Sequence, residues 1–560
     1  MQSEYITPFE KGNGNQTTTW AECIAFYESL AQRFPNILHF EQIGISDAGV
    51  PLHAGVVSVD GVFDRERIKR EGRPVFFNNN GIHPGEPEGV DGCMALVRDF
   101  CLEPARLAAL GNTVFLFVPL YNVDGSLNRN DTSRVNQDGP ESFGFRGNSI
   151  NLDLNRDFIK CDSLNAQAFN KLFAAWDPDV MVDTHTSNGA DYTYTMTLIH
   201  TQPDKLGSEL GGFLRQSMLP VIYQQMDARG WPTCPYVNPI KDSPDDGIAD
   251  FLEVPRFSTG YAALHHTIGF MPETHMLKPF ADRYHSMRAL VEVTLEFTVK
   301  HAKQIQALRD AAKHDKAATR TVSWKMDDAH PSKFRFKGYA AKYRKSVIGE
   351  YQRLYYDRNE PWEKEIDYYD RFVADAVVRI PKAYVVPQQW RAVIERLQWN
   401  GVHMDRVEST RNADVQCYRI RAAKPRPGPY EGHMFHDEVE LETYTDTIAL
   451  QKGDYLIPLD QPNARYAIET LEPLAHDSFF RWGFFNSVLE KKEAFSDYVF
   501  EDLAEEMLRS EPGLQQKFDA WKSANPQLLS DQAEVLGFIF AHCQRHAEPE
   551  WRRYPIWSLV

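Results

Sequence analysis

The chain is predicted to be an α/β protein: a mixed β-sheet flanked by helices, followed by a β-rich carboxy-terminal region with a helical tail. Three observations predict this. Strand-like and helix-like segments alternate through residues 1–318. Two runs, 113–120 and 179–183, are apolar almost throughout, as strands buried on both faces are. After the polar tract 310–320 (DAAKHDKAATR), short β-prone segments separated by turn residues replace that alternation. The tract is the expected boundary between residues 1–318 and residues 319–560.

The elements follow in order. Thr17-Thr18-Thr19 can cap a helix over 20–33, where apolar residues recur at helical spacing. Strands are expected at 39–45, 52–59 and 75–79, and a helix at 86–102. The apolar run 113–120 is a buried strand. A helix over 164–176 precedes the buried strand 179–183. A single helix is expected over 205–229, a short strand at 269–274 and a long helical tract over 281–318. Beyond it, 374–379, 415–422 and 438–449 are expected as short strands, and 498–523 as helical. The aromatic run Phe479-Phe480-Arg481-Trp482-Gly483-Phe484-Phe485 suits a core or a contact between the halves better than a ligand platform.

Composition narrows the function. The 560 residues are 42% hydrophobic and 25% charged, the balance of a globular chain and not of a disordered or collagen-like one. A net charge of −17 argues against non-specific nucleic-acid binding, which needs clustered Lys and Arg. The longest apolar stretch, near 113–121, is about half of what a spanning helix needs, so no membrane partner is expected. Residues 1–10 lack a basic and apolar leader pattern. The expectation is a cytoplasmic protein if the chain is full-length, and a periplasmic or secreted one if it is a trimmed mature form. Seven scattered cysteines without a CxxC pair read as reduced thiols.

The chemistry begins at His83-Pro84-Gly85-Glu86, between a buried strand and a helix. Residues after a strand sit at its carboxyl end, where open α/β sheets build their clefts. An imidazole and a carboxylate across a Pro-Gly turn can face one cation, and a catalytic zinc site uses three protein ligands with one open position. A bare His-x-x-Glu arises about once by chance in a chain of this composition. A third ligand is available in His185, which follows the strand 179–183. Between them, Asn155-Arg156 offers an amide and a guanidinium fork suited to a carboxylate. Glu273, at the end of a short apolar segment, suits general-base work beside an activated water.

Taken together, the sequence resembles the zinc metallocarboxypeptidases of the carboxypeptidase A-like family. The resemblance is carried by His83-Pro84-Gly85-Glu86, Asn122-Val123-Asp124-Gly125, Asp153-Leu154-Asn155-Arg156-Asp157-Phe158, Val182-Asp183-Thr184-His185-Thr186-Ser187 and Pro272-Glu273-Thr274-His275, in that order. Ile43-Gly44-Ile45-Ser46 and the first helix add to it. It covers residues 17–300, about half the chain, and implies a bacterial-type member of the family with an extra carboxy-terminal region. It implies one zinc ion per chain held by His83, Glu86 and His185, and a substrate carboxylate held by Asn155 and Arg156. It also implies Glu273 as general base and then general acid, and an arginine that polarises the scissile carbonyl. Arg146 is the best match for that arginine, with Arg129 and Arg134 as rivals.

One departure concerns the tyrosine that the family places about twenty residues before the catalytic glutamate. The matching stretch 250–252 has none, and Tyr261 is the nearest candidate for a substrate-binding phenol. The implied function is zinc-dependent hydrolysis of C-terminal peptide bonds, with a peptide or amino-acid conjugate bearing a free carboxylate as substrate. Two alternatives stay open. One is a zinc-dependent amidase or deacylase acting on peptidoglycan peptides or N-acyl amino acids. The other is a zinc-binding recognition domain without activity, against which the intact Glu273 argues. His265-His266 and His275 near Glu273, and His433 and His436 in the second half, are read as ordinary polar positions.

Overall fold

The structure, a computed structural model, describes residues 5–559, so the first four residues of the stretch read for a leader, and residue 560, lie outside it. A nine-stranded mixed sheet forms the centre of the first half. Across it run Leu38–Ile45, Pro51–Val57, Val114–Val118, Val75–Asn79, Val180–Asp183, Ile268–His275, Met196–His200 and Thr233–Pro235, with His185–Ser187 paired to Ile268–His275. The inner strands from Val114–Val118 to Ile268–His275 run parallel, and antiparallel pairs flank them.

Helices cover both faces, which explains why Val114–Val118 is apolar at every position and why its neighbours Val75–Asn79 and Val180–Asp183 are buried throughout. On one face Phe76, Phe115 and Phe117 pack with Tyr27, Met94, Leu290 and Phe297 from the helices Trp20–Arg33, Glu88–Leu102 and Phe280–Lys313. On the other, Phe77, Leu116 and Met181 meet Phe169 and Phe173 of Leu164–Trp176 and Tyr261 of Ser258–Leu264. Burying one such phenylalanine contributes about 1.5–3 kcal/mol. The first long helix starts as its sequence predicts. Thr19 accepts from the backbone of Glu22, and the Glu22 carboxylate accepts from the backbone of Thr19.

Two expected helices differ. In place of one helix over 205–229 there are Ser208–Phe213, a π-helical turn Leu214–Met218 and Leu219–Ala228. Pro220 has no N–H to donate and its ring would crowd the carbonyl four residues back, so the ladder widens just before it. The helix starting at Phe280 ends at Lys313, and strand Thr319–Met326 begins where the helix was expected to have only just ended.

The second half is more extended than its sequence suggests. A long hairpin, Ser332–Lys345 and Gln352–Tyr369, replaces what read as loops and short strands. A six-stranded sheet holds Arg411–Pro425, His436–Leu450 and, as an inner strand, Trp557–Leu559. Helices Asp497–Ser510, Leu514–Ala524 and Gln532–His542 share a cluster of their own. The aromatic run is core: Phe479, Phe480, Trp482 and Phe485 are buried in the same cluster as Tyr261 and Phe169. Backbone pairing also joins the halves, since Ile248–Ala249 lies parallel to the end of Gln352–Tyr369. All seven cysteines are unpaired and buried. Among the described residues, no helix is long and apolar enough to cross a membrane.

Candidate metal centre and substrate cleft

Three strand ends build the site. Val75–Asn79 delivers the turn that carries His83 and Glu86, and the turn is closed by the Glu86 N–H donating to the His83 carbonyl at 2.8 Å. Gly89 lets the following helix start against the neighbouring strand, because a Cβ there would lie 1.9 Å from Thr184 Oγ1. His185 follows Val180–Asp183, and Glu273 lies opposite His185 on the paired strand.

His83, Glu86 and His185 are buried, and each offers one ligand atom within 4.8 Å of the others. Their orientation is fixed from behind. His83 Nε2 meets Asp153 Oδ1 at 2.8 Å, and His185 Nε2 meets Asp183 Oδ2 at 2.9 Å. Both histidines therefore turn Nδ1 toward Glu86, at 3.3 Å for His83 and 3.1 Å for His185. Two imidazoles and one carboxylate, each imidazole backed by a further carboxylate, are a donor set that fits zinc. Asp183 is itself held by Asn79 Nδ2 at 2.9 Å.

Asp153 is the hub of the site. Its carboxylate touches His83, accepts from Arg146 Nε at 3.0 Å and caps the short turn Leu154–Arg156 through Asn155 N–H at 2.9 Å. Burial opposes its ionisation, but His83 and Arg146 hold it well below the usual carboxylate range. Asn122 orients Arg146 from the other side by donating to its carbonyl at 2.9 Å. Asn155 Oδ1 accepts from Ser258 N–H at 3.1 Å, and the Arg156 guanidinium lies 4.4 Å over the ring of Phe257.

These residues line one cleft of about 500 Å³: His83, Glu86, Arg146, Asn155, Arg156, His185 and Glu273. Ile199, Phe251, Phe257 and Met271 form apolar wall, and Arg134 and Tyr236 also face it. Burial raises the Glu273 carboxyl to about 8, Glu86 adding repulsion while His185 and Arg146 oppose it. A divalent cation held by the three neighbours would pull it down again.

Tyr261 lies elsewhere. It is fully buried, its ring packs 5.3 Å from Phe158 and 5.1 Å from Phe173, and its hydroxyl donates to Asn400 at 2.6 Å. The expectation that it faces substrate is corrected: the phenol in the cleft is Tyr236, pushed up by burial and then by the charges of Glu273 and Glu86. Tyr236 follows the edge strand Thr233–Pro235, far from the stretch where a tyrosine was sought, and no local motif marks it. Of the rival arginines, Arg134 donates to Glu86 at 2.7 Å, whereas Arg129 is engaged by the carbonyls of Thr18 and Ser142. His433 and His436 diverge, toward Asp162 and Asn486.

Sequence comparison adds an independent observation: the profile described as zinc carboxypeptidase matches residues 23–207, the segment that holds His83, Glu86 and His185. The chain contains a zinc carboxypeptidase domain. Carboxypeptidase 2 of Trichophyton equinum is 24% identical over 428 residues, covering 72% of this chain and 72% of that protein. Carboxypeptidase 2 of Trichophyton rubrum is 22% identical over 430 residues, again 72% of each. Among solved structures, a metallo-carboxypeptidase from Burkholderia cenocepacia is 14% identical over 51% of this chain and 70% of that one, with a TM-score of 0.38. The carboxypeptidase profile ends before Glu273, so it is the strand pairing of Glu273 with His185 that brings this carboxylate to the ligands.

Proposed function

We propose that the protein is a zinc-dependent carboxypeptidase that releases C-terminal residues from peptides, with the roles below for the residues of its cleft. The observation that carries the reading is the position of Asp153. One carboxylate contacts a metal-binding histidine and Arg146, and immediately precedes the turn that presents Asn155 and Arg156. The support of one proposed metal ligand and the proposed carboxylate-binding pair thus meet at one short turn.

His83, Glu86 and His185 would hold one zinc ion. When bound, zinc lowers the pKa of a coordinated water toward about 7 and polarises a carbonyl oxygen. Arg156 and Asn155 receive the terminal carboxylate of the substrate, which makes cleavage terminal because an internal bond presents no carboxylate there. Glu273 accepts a proton from the attacking water and passes it to the leaving amine. Arg146, held by Asp153, donates to the carbonyl oxygen as negative charge develops on it. Tyr236 is placed to hydrogen-bond the terminal residue. Residues 1–318 carry this chemistry, and residues 319–560 complete and brace the domain.

The terminal side chain would lie against Ile199, Phe251, Phe257 and Met271. Of the residues lining the cleft, Glu86 and Glu273 alone bear carboxylates, so a lysine or arginine side chain finds no free counter-charge. The expected preference is for an apolar or aromatic C-terminal residue. The test is mass spectrometry of products from a mixed peptide library, with zinc-loaded protein and with a chelated control. Metal-dependent loss of single apolar C-terminal residues supports the reading. Intact peptides together with cleaved N-acyl amino acids would replace it with a deacylase.

A further inference from the structure

A second charged cluster lies at the seam between the two halves and takes no part in the chemistry above. Helix Phe280–Lys313 and the link after it, strand Thr319–Met326 and helix Ala464–Leu471 meet there. Two adjoining cavities, of about 370 and 350 Å³, open on it, and His266, Arg320 and Arg465 line both. His266 immediately precedes the residues leading into strand Ile268–His275, at the opposite end of that strand from the cleft.

The hydrogen bonding of these three side chains is incomplete. Arg465 is 2% exposed; its Nε donates to Glu469 at 2.7 Å, but its Nη1 is buried without a partner. Arg320 is 18% exposed, its Nε is buried without a partner, and its nearest carboxylate, on the half-exposed Asp315, is 3.9 Å away. His266 Nδ1 is likewise buried and unpaired. Buried N–H groups are almost always satisfied in native proteins, and each exception calls for a water or an ion. Here the exceptions converge, and two of them are cationic, while burial and then Arg465 and Arg320 hold His266 well below the usual imidazole range. Glu469 pairs directly with Arg465, while Arg320 has only the long contact with Asp315 and the more distant charge of Glu469, in a chain whose net charge is −17. Burial and then Arg465 lower the affinity of Arg320 for its proton, the mark of two like charges facing one space. Negative charge placed between them would relieve the repulsion and supply the missing acceptors at once.

We propose that this seam is a binding site for a small oxyanion, a phosphate or carboxylate group, gripped by Arg320 and Arg465 with His266 as a further donor. The two guanidinium groups come from different elements of the second half, and His266 comes from the first. An anion bound there would therefore clamp the halves together, and it would raise the stability of the whole chain by mass action.

Thermal unfolding of the zinc-loaded full chain tests this, in chloride and with inorganic phosphate or citrate substituted at constant pH and ionic strength. Anions could also enter the cleft at Arg156, so Arg156→Gln serves as the control. At about 100 times the dissociation constant the midpoint should rise by about 2 °C for a chain of this size. The rise should persist in Arg156→Gln and vanish in Arg320→Gln. Arg320 is partly exposed and its removal relieves like-charge repulsion, so that variant should fold. Isothermal titration with phosphate and with citrate gives a second readout, one site per chain in Arg156→Gln and none in Arg320→Gln. A response to phosphate alone or citrate alone identifies which group the site takes. No rise over chloride with either anion, or an equal rise in Arg320→Gln, overturns the proposal and leaves water as the occupant.

Discussion

Glu431 accepts a hydrogen bond from the backbone N–H of Asp153 at 2.9 Å, across 278 residues of sequence. Asp153 is the carboxylate that backs His83 and Arg146, so the second half reaches directly into the wall of the cleft. Glu431 does so from a left-handed backbone conformation, φ 48°, which a side-chain residue adopts at some cost. Glu431→Ala is expected to lower kcat/KM about tenfold, the loss of one charge-assisted hydrogen bond of about 1.5 kcal/mol. Unchanged kinetics in this variant would mean that the contact does not position Asp153.

Asp153→Asn keeps the size of the side chain and removes its charge. Partners behind metal-bound histidines change metal affinity by about 10- to 100-fold. Competition with a chelator should show zinc binding weakened by that amount, together with a fall in kcat through the loosened Arg146.

Glu273→Gln separates binding from chemistry. Zinc content measured by mass spectrometry should be unchanged, while turnover falls by about 10²–10⁴. Turnover close to wild type would remove Glu273 from the proton-transfer role.

The two tyrosines should behave oppositely. Tyr236→Phe is expected to lower kcat/KM about tenfold with little change in stability, because the phenol lines the cleft. Tyr261→Phe is expected to leave kinetics alone and cost about 1 kcal/mol of stability, because it takes the Tyr261 donor from Asn400 Oδ1 in the core. Denaturant titration and steady-state kinetics on the pair decide between these assignments.

Asp91 gives a pH dependence of known sign. It is fully buried, it accepts from Thr17 and Thr18, and burial lifts its carboxyl to about 7. The folded state thus holds a proton that the unfolded chain releases near pH 3.8. Its contribution is fully present below that value and is lost as the pH rises through about 7. Asp91→Asn should be nearly neutral at pH 4 and stabilising relative to wild type at pH 8, as read by urea unfolding at both.

Legibility in the sequence followed the range of the interactions. His83, Glu86 and His185 follow strands whose apolar runs are visible, so strand ends and candidate ligands could be read together. Asp153 and Asp183 stood inside the same motifs, but their contacts with histidines far away in sequence leave no local pattern. Tyr236 was missed for the same reason, and Tyr261 was favoured only by proximity to Glu273. The long hairpin was not among the strands read from the sequence, and Gly338 and Pro361 interrupt its strand pattern. In the fold Gly338 lies against the ring of Trp362, where a Cβ would come within 2.5 Å, and Pro361 sits beside a register shift in the pairing.

The placement of Trp557–Leu559 bears on how the protein is made. This strand lies inside the six-stranded sheet, between Ala383–Val386 and Arg411–Pro425. Tyr554 and Ile556, just before it, are buried in the same core as Tyr261 and Phe169 of the first half. A ribosome that has finished residues 1–318 has therefore supplied every proposed catalytic group but not the surface that covers them. One face of the first half's sheet completes its packing only once Tyr554 and Ile556 have been made. Until then that face leaves aromatic surface uncovered, the condition under which incomplete chains are prone to aggregate.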